Sequence, residues 1–311
     1  MIRSNKTLQP SAIQTHCLPT LTNRNWIRMN RGIIYYNIGR SHLVRLLVSL
    51  YSLRRFYNGP VTILSEGDDS FGICLNIAEA LDAEVTKWNC GVPAGENRRF
   101  LAKTRYHIGS PYEITIALDA DTVVLGPIDQ LFCEAELAPF CVAQFADWTT
   151  HHRLISKRLR AWQGLRPDDI APAIGFGPAI NCGVVTFRNN STFCRDWLHL
   201  SLPGRETFIP DEVCCQLSLH RYPHRILDQK WNRSCKYDDP EKPDTRIVHY
   251  HGNKHCRLGL PFHGRLWMRE FEGAYAQNLA KVQEWCPAGD FTLTRFLRPP
   301  IGFRGAGIVV N

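Results

Sequence analysis

The patterned part of the chain opens on Gly32-Ile33-Ile34-Tyr35-Tyr36, a run rich in β-branched and aromatic residues that predicts a buried strand. A polar turn, Asn37 to Ser41, follows it. From His42 to Phe56 the apolar residues Leu43, Leu46, Leu47, Leu50 and Leu53 fall at helical spacing. Asn58-Gly59-Pro60 marks a turn, and Val61-Thr62-Ile63-Leu64 a second strand. The spacing next predicts a helix over 71–82 and a short strand from Glu84 to Trp88. Strands alternating with helices point to a parallel sheet covered on both faces, of the kind that holds nucleotides.

Arg98 to Ile108 predicts another helix, broken at Gly109-Ser110-Pro111. The most apolar strand comes next, Ile114-Thr115-Ile116-Ala117-Leu118, followed at once by Asp119-Ala120-Asp121. Beyond it the pattern is mixed. Phe140–Phe145 and Gly183–Phe187 read as strands, 151–163 as a basic helix or loop, and Trp267–Trp285 as helical. Residues 1–30 show no period and read as an extended lead-in, while 287–311 hold three prolines and four glycines and read as an irregular tail. With no internal repeat and no linker, the expectation is one continuous α/β domain over 31–286.

Composition narrows the classes. At 311 residues, 44% hydrophobic and 21% charged, the chain can bury a large core, which argues against disorder. Its net charge of +8 suits an anionic ligand but is spread along the chain, so nucleic acid is not the favoured partner. The twelve cysteines are scattered, with no C-x-x-C and one adjacent pair, Cys214-Cys215. The N-terminal MIRSNKTLQPSAIQTH lacks the apolar core of a signal peptide. The cysteines therefore read as reduced, buried residues of a cytoplasmic protein, and the sequons at Asn5, Asn189, Asn190 and Asn232 as unused. No apolar stretch reaches the roughly 18 residues that span a bilayer, so no transmembrane segment is expected.

The candidate chemistry centres on ITIALDADTVVLGPID. Open α/β sheets bind ligands at the carboxyl ends of their strands. Two carboxylates at i and i+2 across a tight turn there can share one hard divalent cation, Mn²⁺ or Mg²⁺, which also bridges phosphate oxygens. The alternative is a solvated turn.

This segment resembles the Asp-x-Asp motif of GT-A glycosyltransferases, in particular the retaining, family 8-like group of glycogenin and bacterial lipopolysaccharide galactosyltransferases. The resemblance implies a GT-A fold, a central, mainly parallel mixed sheet flanked by helices. It also implies transfer of a hexose from a nucleotide-diphosphate donor, UDP-sugar by preference, to an unidentified acceptor. Asp119 would touch the donor and the metal, Ala120 would lie beside the donor, and Asp121 would be a principal metal ligand. Asn181-Cys182-Gly183-Val184 resembles the family's Asn-x-Gly-Val strand, whose Asn181 and Gly183 would face the sugar. Pro210-Asp211-Glu212-Val213 resembles the Asp-Gln pair that opens a helix and binds sugar hydroxyls, with Glu212 where glutamine is common. Glu212 would serve as nucleophile or charge stabiliser, or merely as a helix-start acid. His249-Tyr250-His251-Gly252-Asn253-Lys254-His255 resembles His-x-x-Gly-x-x-Lys. His249 would complete the metal site, Gly252 would approach the donor, and Lys254 or His255 would meet the diphosphate. One of Lys103 and Arg105 would hold the donor, and Tyr35, Asn37 and Gly39 would grip base and ribose.

Other readings compete. A zinc cluster of His249, His251, His255 and Cys256 lacks a separated second ligand pair. Asp147, Trp148 and Trp162 could line an acceptor, although tryptophans more often pack. The basic stretch His151 to Arg160 reads first as a solvated face, and Gly175-Phe176-Gly177-Pro178 as a turn. The best functional rival is a haloacid-dehalogenase-type phosphatase with Asp119 as nucleophile, but its motif normally opens the fold.

Overall fold

A computed structural model describes residues 31–92, 94–95, 97–145, 159, 162, 179–235, 238–251, 266, 269–270, 272–274 and 276. The lead-in 1–30, the tail 287–311, the segment 151–158, Asp147, Trp148, 175–178 and Gly252 through Cys256 lie outside them.

The first half alternates as the pattern predicts. It runs β1 (Arg31–Ile38), α1 (Leu43–Arg54), β2 (Val61–Glu66), α2 (Asp68–Ala80) and β3 (Glu84–Lys87). The helix predicted over 98–108 divides at Thr104-Arg105 into α3 (Arg98–Lys103) and α4 (Tyr106–Gly109). After β4 (Ile114–Leu118) come β5 (Thr122–Val124), α5 (Gln130–Leu137), β6 (Phe140–Gln144), β7 (Ile180–Arg188) and α6 (Thr192–Ser201). The chain continues through α7 (Pro210–Ser218), β8 (Arg225–Leu227), β9 (Arg233–Ser234) and β10 (Ile247–His249).

Seven strands form one sheet in the order β3-β2-β1-β4-β7-β6-β8, and only β7 runs against its neighbours. Side chains alternate across it. Ile33, Tyr35, Ile116 and Leu118 join Leu46, Leu50 and Phe132 in one core. Ile34, Ala117, Val185 and Phe187 join Phe193 and Trp197 in the other. Both faces are thus covered, which is why β1, β2 and β4 read as continuous apolar runs. Each fully buried leucine of α1 contributes about 1.5–3 kcal/mol of burial free energy.

A second sheet, β5-β10-β9, folds the chain back on the Asp-x-Asp turn. β10 pairs antiparallel with β5, setting His249 opposite Thr122, and Tyr250 N–H donates to the Asp121 carbonyl at 2.9 Å. The nine described cysteines are free thiols, all but Cys133 buried. Trp162 is buried beneath Gly204 in the second core, not exposed to an acceptor. Asn232 has no exposed surface, so its sequon is sterically closed. Among the described residues no helix is long and apolar enough to cross a membrane.

Candidate active site

β4 ends in the middle of the sheet, and its last residue is followed by Asp119. The Asp119 N–H donates to the Gly183 carbonyl at 2.8 Å, and Thr122 Oγ1 donates to the Asp119 carbonyl at 2.8 Å. These bonds hold a tight turn from which both carboxylates project, while Ala120 between them packs against the core. β10 delivers His249 to the same point. Its Nε2 lies 3.1 Å from Asp121 Oδ1 and 3.7 Å from Asp119 Oδ2. The three candidate ligand atoms all lie within 4.8 Å of one another. Two hard oxygens and one imidazole nitrogen, with the other ring nitrogen engaged by Asn232 at 2.9 Å, fit a divalent cation.

Lys103, the last residue of α3, reaches Asp119 Oδ2 at 2.6 Å and the Cys182 carbonyl at 3.4 Å. Burial alone would pull the lysine toward neutrality; Asp119 and Asp211 outweigh it and hold the ammonium above its ordinary range. Arg105 falls past the end of α3, beside Gly91, so the structure brings Lys103 and not Arg105 to the carboxylates.

The start of β7 and the start of α7 close the other side. Asn181 Nδ2 donates to Glu212 Oε2 at 2.6 Å, and Gly183 N–H donates to Asn181 Oδ1 at 2.9 Å. Gly183 is required for a local reason. A Cβ there would stand 2.2 Å from His249 Cε1 and 2.8 Å from Asn181 Oδ1. α7 opens on Pro210 after Ile209, a β-branched residue at φ 53°, a strained conformation that turns the chain into the helix. Its first turn carries Asp211 and Glu212, both buried. Burial pushes the Asp211 carboxyl up to about 7, with Lys103 pulling it down and Glu212 and Asp119 pushing it further up. Asp211 Oδ1 has no hydrogen-bond partner among the described residues.

At the end of β1, Asn37 is fully buried, its Nδ2 donating to the Gly39 carbonyl at 3.0 Å and its Oδ1 accepting nothing among the described residues. Gly39 makes its turn at φ 62°. Tyr35 is not at the site. Its ring lies in the core under α1, 3.0 Å from Ser49 Oγ through its hydroxyl, because odd positions of β1 face that helix. Tyr36, on the opposite face, instead donates to Glu66 Oε2 at 2.5 Å, and Arg98 pairs with the same carboxylate. Gly252, Lys254 and His255 fall outside the described residues. His251 stacks on His249 with ring centroids 4.0 Å apart, and the candidate ligand group among the described residues is Asp119, Asp121 and His249.

Asn232 is the residue that sequence reasoning missed. Beyond the sequon, its only signal is the Trp-Asn pair closing a short turn after β8, and a single asparagine has no periodicity to betray it.

No family model matches the sequence, and no curated protein matches it. Solved structures do share the fold. The apo form of mouse xyloside xylosyltransferase 1 aligns at 15% identity over 72% of this chain and 98% of that one, with a TM-score of 0.51. The galactosyltransferase LgtC, solved with donor and acceptor sugar analogs, aligns at 14% over 80% and 99%, with a TM-score of 0.56. The glycosyltransferase GlyE of Streptococcus pneumoniae, also apo, aligns at 16% over 82% of this chain and 62% of its own, with a TM-score of 0.54. At these identities the likeness speaks for architecture. The chain has the GT-A fold of these glycosyltransferases.

Proposed function

We propose that the chain is a metal-dependent glycosyltransferase that moves a hexose from a nucleotide-diphosphate sugar to a hydroxyl acceptor. The observation that carries this reading is the meeting of Asp119, Asp121 and His249 at the carboxyl end of the central strand of a GT-A fold. Bound there, Mn²⁺ or Mg²⁺ would neutralise the diphosphate as it departs. Lys103 adds a largely enclosed positive charge beside Asp119; Lys254 or His255 would extend it toward the phosphates, and Gly252 would approach the donor. Asn37 offers a buried, unsatisfied oxygen for the nucleoside. Asn181, Gly183, Asp211 and Glu212 would bind and orient the donor sugar, and Ala120 would line the same cleft.

UDP as the nucleotide, and retention of configuration by attack on the face the diphosphate leaves, follow the family resemblance alone. Glu212 is held by Asn181 Nδ2, which suits a stabilising role beside the anomeric carbon, and a double displacement through it is the alternative route. The phosphatase reading loses ground because the Asp-x-Asp turn follows the fourth strand, between β1 and β7, instead of the first.

The test is thermal stability with UDP, GDP and ADP, each with and without Mn²⁺. A ligand at 100 times its Kd adds about 2.7 kcal/mol to the folded state without any acceptor. A Mn²⁺-dependent rise with one nucleotide, abolished in Asp121→Asn, is the expected result. No rise with any nucleotide would refute the donor site.

A further inference from the structure

An unbroken hydrogen-bonded chain joins the Gly183 backbone to His249, whose other ring nitrogen faces the carboxylate pair. Asn181 Oδ1 receives Gly183 N–H at 2.9 Å and an Asn232 Nδ2 hydrogen at 2.8 Å. The same Asn232 nitrogen lies 3.3 Å from the Asn181 carbonyl. Asn232 Oδ1 meets His249 Nδ1 at 2.9 Å, and His249 Nε2 faces Asp121 Oδ1 at 3.1 Å. In the other direction Asn181 Nδ2 donates to Glu212 Oε2. Asn181, Glu212, Asn232 and His249 are all buried, between 0% and 8% exposed, so water does not compete for these partners.

Only one assignment of donors satisfies this chain. A backbone amide can only donate, so the Asn181 atom it meets is the carbonyl oxygen. That oxygen can only accept, so Asn232 turns its amide nitrogen toward it and its own oxygen toward the imidazole. The Asn232 oxygen also only accepts, so His249 Nδ1 carries a proton whatever the state of Nε2. A neutral His249 then presents a bare Nε2 electron pair toward two carboxylates. Lys103 covers Asp119 Oδ2, but that Nε2 pair and Asp121 Oδ1 face each other at 3.1 Å with no proton between them, an arrangement that a cation relieves.

We propose that Asn232 is a positioning residue for His249. It fixes the Nδ1–H tautomer and the ring orientation, so that Nε2 is the atom offered to the metal, and the Gly183 amide sets the direction of the whole relay. The same relay ties the ring to Asn181 and through it to Glu212, so the metal side and the sugar side of the cleft share one hydrogen-bond network. Gly183 serves the arrangement twice: its N–H orients the relay, and its missing side chain admits the ring that the relay orients. Metal-ligating histidines depend on such partners at their second nitrogen, and losing one typically weakens metal binding about 10–100-fold.

This inference rests on the metal reading above, and its test separates the two. In the metal-free protein, ¹⁵N shifts report which nitrogens of His249 are protonated. Nδ1–H is expected, and an Nε2–H tautomer in the wild type overturns the proposal without any variant having to fold. By calorimetry, Asn232→Ala should lower Mn²⁺ affinity about 10–100-fold. Asn232→Asp, which keeps an acceptor against Nδ1–H, should hold Mn²⁺ near the wild-type affinity while disturbing Asn181, and so raise KM for the donor. Equal Mn²⁺ affinity in the wild type and Asn232→Ala overturns the relay alone. Failure of the wild type to bind Mn²⁺ overturns the metal assignment on which it depends.

Discussion

Asp211 keeps its proton in the folded chain up to about pH 7, whereas in the unfolded chain it ionises near 3.8. Its burial therefore leaves stability intact below the unfolded value and removes it as pH rises toward 7, because only the unfolded state gains by ionising. The effect is on the order of a few kcal/mol at roughly 1.4 kcal/mol per unit. Metal-free Asp211→Asn should gain stability relative to the wild type as pH rises from 4 to 7, read by denaturant melts across that range. A gap between the two proteins that does not change with pH refutes it. Gly183→Ala makes a second residue-scale prediction. The added methyl meets His249 and Asn181, so it should cost about 1–3 kcal/mol as overpacking and also abolish Mn²⁺-dependent stabilisation. Retained Mn²⁺ binding would show that the ring can move aside.

At the scale of elements, the Asp-x-Asp turn is held from behind by α1. Ser49 Oγ lies 3.0 Å from the Tyr35 hydroxyl and 2.8 Å from Thr122 Oγ1, and Ser52 Oγ accepts Val124 N–H at 2.9 Å. Thr122→Val removes the hydroxyl from this buried set and should cost about 1–3 kcal/mol, together with weaker Mn²⁺ binding. Unchanged stability and metal affinity would show that the tether is idle. None of this was legible in the sequence. β1, β2 and β4 were, since strands buried on both faces leave long apolar runs, and the carboxylates stand out where such a run ends. β5 and β10 are three residues each, too short for any period, and their pairing joins segments far apart in the chain. α6 did leave a signal: Ser191 caps it by accepting Cys194 N–H, and Phe193 and Trp197 fall at i and i+4. Tyr35 shows the limit of a motif. Its position in the strand matched the family, but the alternation of the strand turned it into the core.

For the molecule as a whole, a helical segment near the C-terminus docks on the far end of α1. Both carboxylate oxygens of Glu270, 2% exposed, accept from Arg55 Nη1, at 2.7 and 2.8 Å, and a Cβ on Gly273 would stand 2.8 Å from the Tyr51 hydroxyl. Arg55→Ala should free this segment first, so hydrogen exchange would accelerate across 269–276 while the central sheet keeps its protection. Uniform acceleration would instead mean that the segment is integral to the core. The pairing of β5 with β10 carries a different consequence, one of timing. Asp121 and His249 are 128 positions apart in the chain. At a synthesis rate of about 5–20 residues per second, the histidine follows the aspartate from the ribosome by roughly 6–26 s. Through that interval the nascent protein can have its carboxylate turn, but not the nitrogen that completes the set. The cation-holding group is therefore assembled only after His249 has emerged, and metal loading waits on the growing chain.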